Sequence, residues 1–140
     1  MASIQNDIRA ALESKLAATA DLPTIAYENV AFEPTTGTSF LKVQYLPTVT
    51  RPAVRGLNPQ LRYQGVFSVT VFTPEGKGPA TADDYTNTVI DAFAATTDIS
   101  FTNGDAETIT VSIDYAERQQ GMVDSPWYFV PINIGWYIYN

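Results

Sequence analysis

The stretch that most constrains this chain runs from Ser39 to Phe72. Two apolar-rich runs, Phe40–Leu46 and Val66–Phe72, flank a segment punctuated by Pro47, Pro52, Gly56, Asn58, Pro59 and Gly65. Alternation along the first run puts Leu41, Val43 and Tyr45 on one face and Phe40, Lys42, Gln44 and Leu46 on the other. In the second run Gly65, Phe67, Val69 and Val71 share a face, with Val66, Ser68, Thr70 and Phe72 opposite. Period-2 patterning fixes both runs as strands, Ser39–Leu46 and Arg62–Phe72, with apolar groups on each face. Between them lies a long arm that carries Arg51, Arg55 and Arg62 and no acid. An arm of this kind on a sheet is built for contact.

The remaining segments place two helices and further strands around this unit. Ser3 is positioned as an N-cap, and Ile4, Ile8, Leu12 and Leu16 recur at every fourth residue through about Ala20, which predicts an amphipathic helix closed by Asp21-Leu22-Pro23. A short strand at Ile25–Tyr27 follows. The run Thr73–Pro79 reads as a turn; Val71 and Gly78 stand where a phosphate loop needs its first glycine and its Ser or Thr. A second helix is expected from about Thr81 to Ala94, with Tyr85, Val89 and Phe93 as its stripe, joined by Ala82, Ile90 and Ala92. Asp83 and Asp84 fall in its first turn, where the helix dipole favours negative charge. Adjacent helical residues diverge, so the pair is poorly placed to share a metal.

Three strands close the chain. Ile99–Phe101 leads into Asn103-Gly104, a two-residue hairpin signal. Thr108–Tyr115 alternates strictly, predicting Ile109, Val111, Ile113 and Tyr115 inward, with Ala116–Pro126 as a polar loop. Trp127–Tyr139 carries Tyr128, Val130, Ile132, Ile134, Trp136 and Ile138 on one face. Pro131 lacks a ladder donor, so this strand is expected at a sheet edge or with a bulge there. Consecutive strands favour antiparallel pairing. The expected class is α+β, one domain over residues 1–140, with a mixed, mostly antiparallel sheet, two helices on one face and a long hairpin-like arm.

Composition excludes several chemistries. With no histidine and no cysteine, the commonest general base, the commonest metal ligand and thiolate chemistry are all missing. No catalytic, cofactor or metal site is expected. No apolar run approaches a membrane span, and Met1–Asp7 lacks the pattern of a secretory signal. Net charge is −7, which disfavours nucleic acid as a sequence-specific partner. Its distribution is uneven: residues 1–41 carry −3, residues 42–77 carry +4 and residues 78–140 carry −8. One reading is chance clustering on a solvated surface. The other is a self-complementary molecule in which Arg51, Arg55, Arg62 and Lys77 dock on acids such as Asp83, Asp84, Asp114 or Glu117 of a neighbouring copy. A further alternative is that the arm meets a different protein instead of a neighbouring copy.

Several segments carry a resemblance. Phe32-Glu33-Pro34, Gly37–Leu41, Leu46-Pro47, Gly65–Val69, Pro74–Gly78, and Trp127 followed by Val130–Ile134 are similar, in order and spacing, to the small tail terminator (tail-completion) proteins of long-tailed phages. The resemblance implies a non-enzymatic virion protein assembled in the host cytoplasm, acting at the neck end of the tail. It implies a homo-hexameric ring that ends polymerisation of the major tail tube protein and presents a surface to the head-side connector or stopper protein. It supplies no catalytic residue. Two alternatives stand beside it: another neck, head–tail joining or minor tail subunit, and a small hydrolase, which would need two carboxyl groups about 5–10 Å apart in one pocket.

Overall fold

The computed structural model describes residues 4–52, 56, 60–76 and 78–139. In chain order the elements are α1 (Ile4–Ala18), β1 (Thr24–Ala26), β2 (Phe40–Pro47), β3 (Arg51–Pro52), β4 (Leu61–Pro74), α2 (Ala80–Ala92), β5 (Asp98–Thr102), β6 (Thr108–Arg118), β7 (Met122–Asp124) and β8 (Trp127–Tyr139). The strands form one sheet in the order β1-β2-β4-β8-β6-β5, with β3 added to β4 and β7 to β8. Only β1 and β2 are parallel among these pairs; the rest are antiparallel. The α+β class expected from the alternating strands and two amphipathic helices is the class observed.

Register explains the core. Leu41, Val71 and Val130 form one row across β2, β4 and β8; Val43, Val69 and Ile132 form the next, and Tyr45, Phe67 and Ile134 the third. All nine side chains are buried. Onto this face pack Ile8, Leu12 and Leu16 of α1, at the predicted spacing. The helix stops at Ala18, where the Thr19 hydroxyl donates to the Lys15 carbonyl and Asp21 turns into the left-handed region at φ 65°. The proposed cap, Ser3, lies outside the described residues. On α2 the buried stripe is Ala82, Thr86, Val89 and Phe93, with Tyr85 and Ile90 at its flanks. Thr86 tolerates burial because its hydroxyl donates to the Ala82 carbonyl at 2.7 Å.

Three expectations are corrected. First, β8 is central, paired with β4 on one side and with β6 and β7 on the other. Pro131 fits there because its ring nitrogen faces a break in the ladder: β6 last pairs at Ile132, β7 resumes at Phe129, and the Gln119 N–H meets the Pro131 carbonyl at 2.8 Å between them. Second, 116–126 is not all loop, since β6 continues to Arg118 and β7 follows. Third, Tyr115 is not inward. A bulge between Ile113 and Tyr115 shifts the register, so Ile113 opposes buried Trp136 while Tyr115 opposes Gly135 on the other face. Tyr115 consequently remains exposed.

The Asn103-Gly104 signal does mark a hairpin, but of different construction. β5 and β6 close at Thr102↔Thr108, leaving a five-residue loop, 103–107. The Asn103 carboxamide oxygen accepts from the N–H groups of Asp105 and Glu107, and Ala106 takes the left-handed conformation.

Candidate functional site

At the start of β4 the arm adds β3 to the ribbon, so that Arg62 pairs with Arg51 on one side and with Tyr139 on the other. Thr48 holds its base: both its N–H, at 2.9 Å, and its hydroxyl, at 3.1 Å, meet the Gln64 carbonyl. Beyond a short irregularity, β3 places Arg51 directly opposite Arg62. Like charges at facing positions are unfavourable. The Arg62 guanidinium is drawn aside over the ring of Tyr137, 4.9 Å from its centroid, with Tyr139 at 5.8 Å. That stacking orients one arginine and leaves Arg51 exposed at the base of the arm. Arg55 and Lys77 lie outside the described residues.

The acidic candidates divide. Asp83 pairs with Arg118, Nη1 to Oδ1 at 2.5 Å, and this is the one ion pair among the described residues. The only base in residues 78–140 is therefore committed within its own subunit. Asp114, exposed at the bulge, lines a cleft of about 200 Å³ together with Arg62, Gln64 and Tyr115. Asp84 and Glu117 are exposed on α2 and β6, and Glu117 accepts from the Gln119 carboxamide. The fold thus brings Arg62 and Asp114 to one cleft, ties Asp83 to Arg118, and leaves Asp84 and Glu117 apart.

A feature not singled out from sequence lies on the opposite side of the sheet from the helices. Phe40, Phe72 and Phe129 occupy one row across β2, β4 and β8, with centroid separations of 4.6 Å and 5.6 Å. Phe32 extends the row at 5.1 Å and Trp127 meets Phe40 edge-on at 5.1 Å. Phe32, Phe40, Phe72 and Trp127 line a cleft of about 630 Å³ whose walls include Glu28, Val30, Lys42 and Asp124. The signal was present in the alternation, which put Phe40 and Phe72 on the face away from the core; nothing local showed that Phe32 and Trp127 would join them.

Between α1 and β2 sits a partly buried polar cluster. Tyr45 stacks on Trp136 at 5.4 Å, lies under the Arg9 guanidinium at 5.1 Å, and donates its hydroxyl to Gln5 Oε1. Its backbone N–H is taken by the Glu28 carboxylate. Burial pushes the Tyr45 hydroxyl up to about 12, against the opposing pull of Arg9. Desolvation also raises the Glu13 carboxyl, with Arg9 lowering and Glu28 raising it. A phenol held protonated serves as a donor that pins α1 to the sheet. No group of three or more metal-ligating side chains occurs among the described residues, and no helix there is long and apolar enough to cross a membrane.

What these surfaces offer is contact: a paired-arginine arm at one end of the sheet and an aromatic face with an open cleft. They define a structural subunit of an assembly. The chain belongs to the phage tail terminator family, whose model, described as phage tail terminator protein, matches residues 7–136. It is accordingly a structural protein of the virion tail. Among solved structures, one that carries no functional name is 26% identical and superposes with a TM-score of 0.72, covering 99% of this chain and 97% of its own. Another, a component of the virion of a native gene transfer agent particle, shares the fold at a TM-score of 0.65 and 16% identity, with both chains fully covered. No curated protein matches.

Proposed function

We propose that this protein caps the phage tail tube as a ring of identical subunits, six in number, which ends polymerisation of the tube protein and presents the surface that the head-side connector meets. Membership of the terminator family supports the place of action. The resemblance of fold to a component of a gene transfer agent virion agrees with it, since both chains are covered end to end. The observation that carries the ring is the arm: Arg51 stands opposite Arg62, and neither has an ion-pair partner among the described residues of its own subunit. A positive pair of which Arg51 is exposed and Arg62 partly so, on a chain of net charge −7, is matched by carboxylates of another copy.

The test is a polymerisation assay with purified tube protein. Added terminator is expected to shorten the tubes, and negative-stain images are expected to show a six-fold ring at one tube end. Unchanged tube lengths with no ring bound would overturn the reading. Twelve-fold particles that bind heads instead of tubes would move the protein to the head side of the neck.

A further inference from the structure

We infer that the aromatic cleft receives the arm of the neighbouring copy, so that the ring closes by arm-to-cleft contact and not by docking of the arm on Asp83, Asp84, Asp114 or Glu117. This deepens the ring reading and rests on it. The first ground is polarity along β4. Arg62 and the arm stand at its start and Phe72 with the cleft near its end, ten residues on. At about 3.3 Å per residue they are roughly 33 Å apart. A copy cannot fill its own cleft, and a contact between two different patches is heterologous, the kind that closes into rings.

The second ground is complementarity. Between Val43 and Pro74 the chain has no acid and three arginines. At the cleft the balance is reversed: Glu28 and Asp124 line it against Lys42, and Glu75 is held at the same turn by the Ser125 hydroxyl. Apolar exposure follows the same division. Leu46 and Val49 flank the arm base at 48% and 59% exposure, while Val30 on the cleft wall and Val123 beside Asp124 are each 61% exposed. Each end therefore offers apolar side chains beside charge, with opposite signs.

The third ground is the edge of β2. β1 covers it only through Lys42, and the next outward N–H, that of Tyr45, is already taken by Glu28. Addition of a strand to this edge is thus blocked at that position, and the space beside it is left for side chains. Asp124, which has no ion-pair partner among the described residues, is the cleft acid left for the arm, whereas of the competing acids Asp83 is held by Arg118 and Asp114 stands beside Arg62 of its own subunit.

The chain has no cysteine, so introduced thiols report cleanly. V49C and V30C proteins, mixed and oxidised, are expected to give a disulfide dimer that neither gives alone, and the V30C/V49C double variant a ladder ending in a closed ring. In parallel, R51E and D124R are each expected to weaken association roughly tenfold, and the R51E/D124R combination to restore it. Crosslinking of V49C to E117C or D84C in place of V30C, or V49C homodimers alone, would overturn the inference. So would an intact ring in which neither charge reversal has an effect. Light scattering separates the two ideas: a ring with the wrong crosslinks sinks arm-to-cleft docking alone, whereas the absence of any oligomer with or without tail tubes sinks the ring.

Discussion

The indole of Trp136 lies over Gly65, so that a Cβ on this glycine would fall 2.8 Å from Cζ2 and 2.5 Å from the Leu46 carbonyl oxygen. The two residues are direct partners in the β4–β8 ladder, and Trp136 fills the space that Gly65 leaves before stacking on Tyr45. Because backbone is among the obstructing atoms, Gly65→Ala cannot be absorbed by a rotamer change. It is expected to destabilise the fold by ~1–3 kcal/mol, seen as a lower thermal midpoint. Gly135→Ala is the control. There the three nearest atoms all belong to the ring of Tyr115, an exposed side chain that a rotamer change can move, so a smaller loss is expected.

Asn103 does two jobs, and its removal separates them from simple loop chemistry. Its oxygen closes the 103–107 loop, and its Nδ2 donates at 3.0 Å to Asp7, a carboxylate only 6% exposed. Asn103→Ala therefore opens the turn and strips a buried charge of its partner. A loss of about 1–3 kcal/mol is expected in denaturant unfolding, larger than that of Gly104→Ala, whose added Cβ meets open space.

The same residue shows what the sequence could and could not disclose. Asn103-Gly104 marked a hairpin correctly, because such a pair interrupts two alternating runs. It did not reveal the five-residue loop, because Asn103 finds its partners at Asp105, Glu107 and, far away in sequence, Asp7. The rows Leu41–Val71–Val130 and Val43–Val69–Ile132 were legible because period-2 burial needs no knowledge of neighbours. Tyr115 was misassigned because a one-residue bulge reverses every later side chain and leaves no local trace. Pro131 misled for a related reason: a missing donor excludes a ladder position only where a strand faces it, and here the facing strand changes from β6 to β7. Of the candidate site, the arginines of the arm were visible as a charge run. The aromatic cleft was visible only as Phe40 and Phe72 on the outer face, since Phe32 and Trp127 reach Phe40 through tertiary packing alone.

Tyr45 gives a pH signature. Its folded pKa, about 12, exceeds the ordinary value of 10.0, chiefly because the ring is buried. For a group raised in the folded state, stability is fully present below pH 10.0 and declines as pH rises toward 12. Absorbance titration of tyrosinate is expected to show Tyr45 ionising late, beside Tyr27, which burial also raises, with unfolding setting in over that window. In Tyr45→Phe the late phase is expected to shrink by one tyrosine, leaving that of Tyr27, while the core remains, since Phe keeps the contact with Trp136. A late phase unchanged by the substitution would assign it elsewhere.

Arg62 offers the cleanest division between folding and assembly. Over Tyr137 and Tyr139 it contributes roughly 0.5–1 kcal/mol as a partly exposed cation–π contact. Arg51, facing it with no such stack among the described residues, contributes little to the fold, and its like charge opposes it. Here the two substitutions are expected to diverge. Arg62→Ala should lower the thermal midpoint slightly and weaken association. Arg51→Ala should leave the midpoint unchanged or higher while weakening association by a similar factor. Both should reduce the salt dependence of assembly, because the screened interaction is the one removed. Equal thermal losses in the two variants, with salt dependence intact, would place the arginines in the fold alone and remove the arm from the contact between subunits.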